Sequence, residues 1–164
     1  MRETVAAGLV LLSHWSPERD LYDPMCGSGT ILLEAASIGL KKAAGLERSF
    51  ASQRWRFLGR ECWEQAHQEA LDLYDRRTQL KLFGSDVDGQ VLKLARTHLA
   101  QADLEGRGVF FQARDVSEFS SQRKYGVVIT NPPYGRRLNT LDEVESLTQT
   151  LAGVFEPLAE TWSL

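Results

Sequence analysis

The sequence has few cysteines, few histidines and no long hydrophobic run. Its two cysteines, Cys26 and Cys62, lie 36 positions apart, which is too far for a disulfide framework or a zinc ribbon. The three histidines are scattered, so the sequence predicts no metal site. No apolar stretch approaches the roughly 18–20 residues that span a bilayer, and the N-terminus lacks the cleavage pattern of a secretory signal. We therefore expect a soluble, cytoplasmic protein.

The chain also lacks the excess of positive charge that is typical of nucleic-acid-binding domains. Its 164 residues include 19 Lys and Arg against 22 Asp and Glu, for a net charge of −3. A domain that grips nucleic acid by charge alone is usually basic. If the partner is a nucleic acid, most of the surface that binds its phosphates is local or lies on another segment. Five residues are candidates for phosphate binding at the rim of a site: Arg114, Arg123, Lys124, Arg136 and Arg137. For each of them a solvated surface charge is an equally good interpretation.

The hydrophobic pattern alternates between strands and helices. The four apolar strand segments are 20–23, 80–85, 108–112 and 125–130, and the helical segments are 3–15, 31–40, 61–78, 88–102 and 140–159. This alternation predicts an α/β, Rossmann-like parallel sheet with helices on both faces. The apolar residues 162–164 resemble the start of another strand. We therefore expect 1–164 to be a partial catalytic domain, truncated after the fourth strand.

A glycine-rich turn follows the first strand, in the segment Asp23-Pro-Met-Cys-Gly-Ser-Gly-Thr30. Gly27 and Gly29 allow a ligand to approach the backbone closely. The N-terminus of the next helix favours an anionic group such as a carboxylate. Asp23 is an acceptor suited to a ligand ammonium group or to holding the loop. The segment lacks the lysine of a phosphate-binding P-loop, and a turn without a ligand is the alternative.

Two further acidic residues follow the second and third strands. Asp86 can accept hydrogen bonds from the hydroxyls of a ribose, while Asp88 is suited to capping the next helix. Asp115 can accept from an adenine amino group. Ligands of such sheets bind at the carboxyl ends of the strands, where all these residues are expected. The alternative is that these aspartates only cap helices and turns.

The tetrapeptide Asn131-Pro132-Pro133-Tyr134 follows the fourth strand. The prolines make a rigid corner, which would present the Asn131 amide and the Pro132 carbonyl as two acceptors for one exocyclic amino group. Tyr134 can stack on the base that carries this group. The sequence therefore predicts transfer to a nucleobase amino group, and a proline-rich turn with a packing tyrosine is the alternative. The four tryptophans are expected to be core or interface residues: Trp15, Trp55, Trp63 and Trp162.

The segments DPMCGSGT, GSDVD and NPPYGRRL, in this order, resemble the class I S-adenosylmethionine-dependent methyltransferases that act on base amino groups. More closely, the chain resembles the bacterial 23S ribosomal RNA guanine-N2 methyltransferases (the RlmL-like, THUMP-associated family). This resemblance implies methionyl contacts around Asp23, Gly27 and Gly29, ribose contact at Asp86 and adenine contact near Asp115. It also implies contact of the target base with Asn131 and Tyr134.

The resemblance implies S-adenosyl-L-methionine as cofactor and 23S ribosomal RNA as substrate. Relatives of the family carry an RNA-binding domain, and we expect this domain and the final strands of the sheet to be absent from residues 1–164. The base chemistry alone leaves alternatives open: a methyltransferase for tRNA guanine-N2 or DNA adenine-N6, or a non-catalytic cofactor- or RNA-binding module. The oligomeric state is also left open.

Overall fold

The computed structural model describes residues 1–133 and 140–164. Four parallel strands form one sheet in the order β3-β2-β1-β4. The strands are β1 (Leu21–Asp23), β2 (Leu82–Asp86), β3 (Val109–Ala113) and β4 (Val127–Val128). The helices of the described residues are α1 (Glu3–Leu12), α2 (Thr30–Gly39), α3 (Arg60–Leu73), α4 (Gly89–Gln101) and α5 (Leu141–Phe155). Short 3₁₀ helices span Ala51–Arg54, Val116–Glu118 and Glu156–Leu158.

Helices cover both faces of the sheet. Because side chains alternate along each strand, successive strand residues pack in cores on opposite faces. On one face, Leu21, Leu82 and Val127 pack in a core with residues of α1, α2 and α4. On the other face, a smaller core joins Tyr22 and Val128 to the C-terminal part of the chain, including Phe119, Phe155, Leu158 and Trp162. The predicted Rossmann-like α/β fold with helices on both faces is therefore confirmed.

The structure corrects two of the predicted boundaries. The fourth strand begins at Val127 rather than at Tyr125, because Tyr125 has a φ of 65°, outside the extended region. The third helix ends at Leu73 instead of residue 78, because Tyr74 is extended. The Asp75 carboxylate then accepts hydrogen bonds from the backbone N–H groups of Arg77 and Thr78.

The C-terminal residues add to the free edge of β4. Ser163 forms a parallel bridge with Val127, and its N–H donates to the Gly126 carbonyl at 3.1 Å. Trp162 is 6% exposed, and its indole N–H donates to the Arg123 carbonyl at 3.0 Å. Trp15 is also buried, as predicted, whereas Trp55 is 51% exposed and is not a core residue.

The helices of the described part of the chain are all too short or too polar to cross a membrane.

Candidate functional site

A cleft of about 630 Å³ opens at the carboxyl ends of the strands. Polar lining comes from segments that follow each of the four strands: Gly27, Asp86, Asp88, Asp115 and Asn131. Apolar lining comes from the same loops and from α4 and α5: Pro24, Met25, Val87, Val91, Val116, Pro133 and Leu147. Residues that are distant in sequence therefore meet in one cleft. It lies at the carboxyl ends of the strands, where parallel sheets of this type bind their ligands.

The glycine-rich loop uses its two glycines differently. Gly27 lines the cleft with a φ of 54°, and a Cβ atom on it would meet no atom within 4 Å. Gly29 has a φ of 82° and caps α2, so the cap is this glycine rather than Ser28 or Thr30. A Cβ on Gly29 would lie 2.9 Å from the Phe111 ring. Gly27 thus leaves room for a ligand, while Gly29 permits the turn and the packing beneath it.

The Asp86 carboxylate ties the glycine-rich loop to the end of β2. Its Oδ2 accepts from the Gly27 N–H at 2.9 Å and its Oδ1 accepts from the Asp88 N–H at 3.0 Å. A carboxylate has about four acceptor positions, so both oxygens retain capacity toward the cleft. Asp88 caps α4 as predicted, because its side chain accepts from the Gln90 N–H at 2.8 Å.

Asp115 begins the 3₁₀ helix that follows β3. Its Oδ1 accepts from both the N–H and the hydroxyl of Ser117, at 2.8 and 2.6 Å. These two bonds hold the pKa of the Asp115 carboxyl below its ordinary value, and the bond from the Ser117 hydroxyl has the larger effect. The group is exposed and ionised near neutral pH, and it is oriented to accept further hydrogen bonds at the cleft.

Asp23 lies beneath the cleft and links the ends of β1 and β4. It is 2% exposed, and its Oδ1 accepts from the Thr130 hydroxyl at 2.8 Å and from the Met25 N–H at 3.3 Å. Burial raises the pKa of this carboxyl to about 7. Of the two roles that the sequence left open for Asp23, these contacts correspond to holding the loop.

Asn131 reaches the cleft from the segment after β4, together with Pro133. Pro132 is half-buried between them and is not among the lining residues. Tyr134, the third predicted catalytic residue, lies outside the described residues. Thr130, which donates a hydrogen bond to Asp23, immediately precedes Asn131. This bond therefore fixes the start of the segment against the glycine-rich loop.

The structure therefore brings Gly27, Asp86, Asp115 and Asn131 together, and places Asp23 and Gly29 in the layer below. Sequence reasoning missed Thr130, whose only signal was its position directly before the Asn-Pro-Pro segment. It also missed the apolar walls formed by Val87, Val91, Val116 and Leu147. Among residues 1–133 and 140–164 there is no group of three or more His, Cys, Asp or Glu that could hold a metal.

These residues fit S-adenosylmethionine in size and in chemistry. The cleft volume is within the range of about 300–1,000 Å³ that is typical of small-molecule sites. The open space over Gly27 adjoins the N-terminus of α2, which favours a carboxylate. Asp86 and Asp115 offer carboxylates for hydroxyl and amino donors, and apolar side chains stand beside both.

Comparison with known proteins assigns the chain to a family. Residues 1–164 match the family model UPF0020, the RMKL-like methyltransferase domain. The chain belongs to this family. It is 38% identical to "Putative RNA methyltransferase YpsC" of Bacillus subtilis (strain 168), over 100% of this chain and 42% of YpsC. It is 40% identical to "Ribosomal RNA large subunit methyltransferase K/L" of Photobacterium profundum, over 90% of this chain and 21% of that protein. The chain thus spans less than half the length of these relatives.

Solved structures have the same fold. The "predicted N6-adenine-specific DNA methylase from Listeria monocytogenes str. 4b F2365" superposes with a TM-score of 0.90 and 40% identity, over 99% of this chain and 42% of that one. "SMU.472, a putative methyltransferase complexed with SAH" superposes with a TM-score of 0.92 and 36% identity, over 98% of this chain and 42% of that one. The chain is thus an RMKL-like methyltransferase domain, and a solved structure with the same fold is complexed with SAH.

Proposed function

We propose that this chain is the cofactor-binding part of an enzyme that transfers a methyl group from S-adenosylmethionine to the exocyclic N2 of a guanine in 23S ribosomal RNA. The observation that carries the proposal is the single cleft into which Gly27, Asp86, Asp115 and Asn131 converge. It joins residues suited to a cofactor with an acceptor suited to a base amino group.

In this proposal residues at the carboxyl ends of the strands would hold the cofactor. Gly27 and the N-terminus of α2 would receive its methionyl carboxylate, Asp86 would accept from the ribose hydroxyls, and Asp115 would accept from the adenine amino group. Asp23 and Gly29 act from below, because they hold the loop that carries Gly27. The hydrogen bonds that orient Asp86 and Asp115 in advance support these roles, since groups held in place lose less entropy when they bind.

Asn131 and the Pro132 carbonyl hold the target amino group. Two acceptors that take both amino hydrogens turn the nitrogen lone pair out of conjugation with the base. Bound S-adenosylmethionine would supply a methyl group on a sulfonium; the N–C bond would form as the S–C bond breaks, with one amino proton released to solvent. Asn131 therefore needs only to accept a hydrogen bond and to position the nitrogen. Tyr134 would stack on the extruded base.

The RNA substrate is supported by the names of YpsC and of the K/L enzyme, both of which are called RNA methyltransferases. The name of the Listeria neighbour favours a second candidate, transfer to adenine N6 in DNA. Both reactions use the same acceptor geometry at Asn131, so the product must distinguish them.

The test is methyl transfer from radiolabelled S-adenosylmethionine to 23S ribosomal RNA, followed by digestion to nucleosides. We expect N2-methylguanosine from the wild-type protein. Loss of one positioned polar contact costs on the order of 10²–10³ in rate, so Asn131→Ala should reduce transfer by about that factor. Gln112→Ala, which removes an exposed amide from β3 outside the cleft, is the matched control and should be unaffected. N6-methyladenosine as product, or an Asn131→Ala variant of normal rate, would contradict the proposal.

A further inference from the structure

The described residues that line the cleft carry no positive charge for the phosphates of an RNA substrate. Its described lining contains three aspartates, Asp86, Asp88 and Asp115, and no lysine or arginine. Two of the predicted rim cations are used within the fold: Arg123 pairs with Asp20 at 2.7 Å, and Arg114 donates to the Glu118 carbonyl. Since phosphate contacts supply most of the affinity for a nucleic acid, a cationic surface elsewhere on the described residues would add to RNA binding.

Such a surface exists in residues 48–60, which follow α2 and include the first residue of α3. This segment contains four arginines, Arg48, Arg54, Arg56 and Arg60, and no aspartate or glutamate. All four are exposed. Arg60 pairs with Glu64 of α3 at 2.7 Å, and the Arg48 guanidinium lies over the Phe50 ring, 4.7 Å from its centroid. Arg54 and Arg56 make no side-chain hydrogen bond or ion pair with the described residues, so their charges are available to a partner.

Two exposed aromatic rings alternate with these arginines. Trp55 is 51% exposed and Phe57 is 80% exposed, and their rings stack with centroids 5.4 Å apart. Exposed aromatic rings interleaved with arginines are the combination that binds unpaired RNA, because bases stack on the rings while guanidinium groups meet the phosphates. The adjacent helix α3 has no buried residue, and it leaves both of these rings more than half exposed.

We propose that Arg54, Trp55, Arg56 and Phe57 form a docking surface for single-stranded RNA, separate from the cleft. This inference rests on the proposed RNA substrate. None of these four residues lines the cleft, so the surface would hold a strand of the substrate away from the target base.

The test is fluorescence anisotropy with a labelled 12-nucleotide single-stranded RNA, without cofactor. Each base stacked on an aromatic side chain contributes about 5-fold to 100-fold in affinity, so Trp55→Ala should weaken binding by at least about 5-fold. Arg54→Ala with Arg56→Ala should lower the slope of log K against log salt by about 1.4, because each phosphate contact on single strands contributes about 0.7. A duplex RNA of the same sequence should bind more weakly than the single strand.

Two controls are matched to these changes. Lys81→Ala with Lys93→Ala removes two exposed charges elsewhere, and Phe110→Ala removes a ring that is 58% exposed on β3. Neither should change binding by more than about 2-fold. The proposal is overturned if the wild-type chain binds no RNA, if the controls weaken binding equally, or if the duplex binds as tightly. Because no methyl transfer is measured, RNA binding that persists in Asn131→Ala separates this surface from the proposed site.

Discussion

The replacement Asp23→Asn tests how the layer below the cleft is built. Asp23 is 2% exposed, and burial raises the pKa of its carboxyl from 3.8 to about 7. Between these values the folded protein binds more protons than the unfolded chain does, so the free energy of unfolding falls as pH rises. The loss of stability caused by ionising the buried Asp23 carboxyl is absent below about pH 4 and complete above about pH 7. One pKa unit corresponds to about 1.4 kcal/mol, so the total is on the order of 4 kcal/mol.

An asparagine at this position cannot ionise, although its amide oxygen can still accept from Thr130. We therefore expect Asp23→Asn to gain stability relative to wild type as pH rises from about 4 to 7, with no further gain above that range. Urea unfolding of both proteins at intervals between pH 4.5 and 8.5 measures this difference, and other carboxylates cancel in it. Asp20→Asn is the contrasting variant, because it removes the ion pair with Arg123 and should only destabilise. A difference between Asp23→Asn and wild type that does not change with pH would refute the reasoning.

Two further predictions concern the packing around the site. Thr130→Val removes the hydrogen bond to Asp23. It should lower the rate of methyl transfer by about 10-fold or more, while cofactor affinity changes by less than about 2-fold, and Thr130→Ser should restore the rate. Equal losses of rate and cofactor affinity in Thr130→Val would instead assign Thr130 to cofactor binding. Gly126→Ala should destabilise the fold by about 1–3 kcal/mol in urea unfolding, because the new Cβ would lie 2.0 Å from the Trp162 ring. Gly8→Ala in α1 meets no atom within 4 Å and should instead stabilise by up to about 1 kcal/mol, so a loss there would contradict this comparison.

Much of the fold could be predicted because its signals are local. Asp88 was expected to cap a helix and does so, and strand–helix alternation indicated the parallel sheet. The start of β4 was predicted too early, because nothing in the residue type of Tyr125 announces a positive φ. Trp55 was expected in a core or at an interface from its residue type alone, and it lies outside both cores with 51% of its surface exposed.

The candidate site was predictable only in part. The positions of Gly27, Asp86, Asp115 and Asn131 at strand ends followed from the topology of parallel sheets. The position of Asp23 and Gly29 in a layer below these residues could not be predicted, because it depends on which carboxylate is buried. The Asp23–Thr130 hydrogen bond joins residues 107 positions apart. A contact of that kind has no local sequence signal and depends on the pairing of β1 with β4.

The most direct test of the proposed site is a calorimetric titration of S-adenosylmethionine into the wild-type chain and into the variants Asp86→Ala and Asn131→Ala, with NAD as the control ligand. The account predicts that the wild-type chain binds S-adenosylmethionine saturably and does not bind NAD. Asp86→Ala should lower the affinity for S-adenosylmethionine by at least about 10-fold, because it removes one charged hydrogen-bond acceptor. Asn131→Ala should leave this affinity unchanged. Equal binding of NAD, or an Asp86→Ala variant with wild-type affinity, would contradict it.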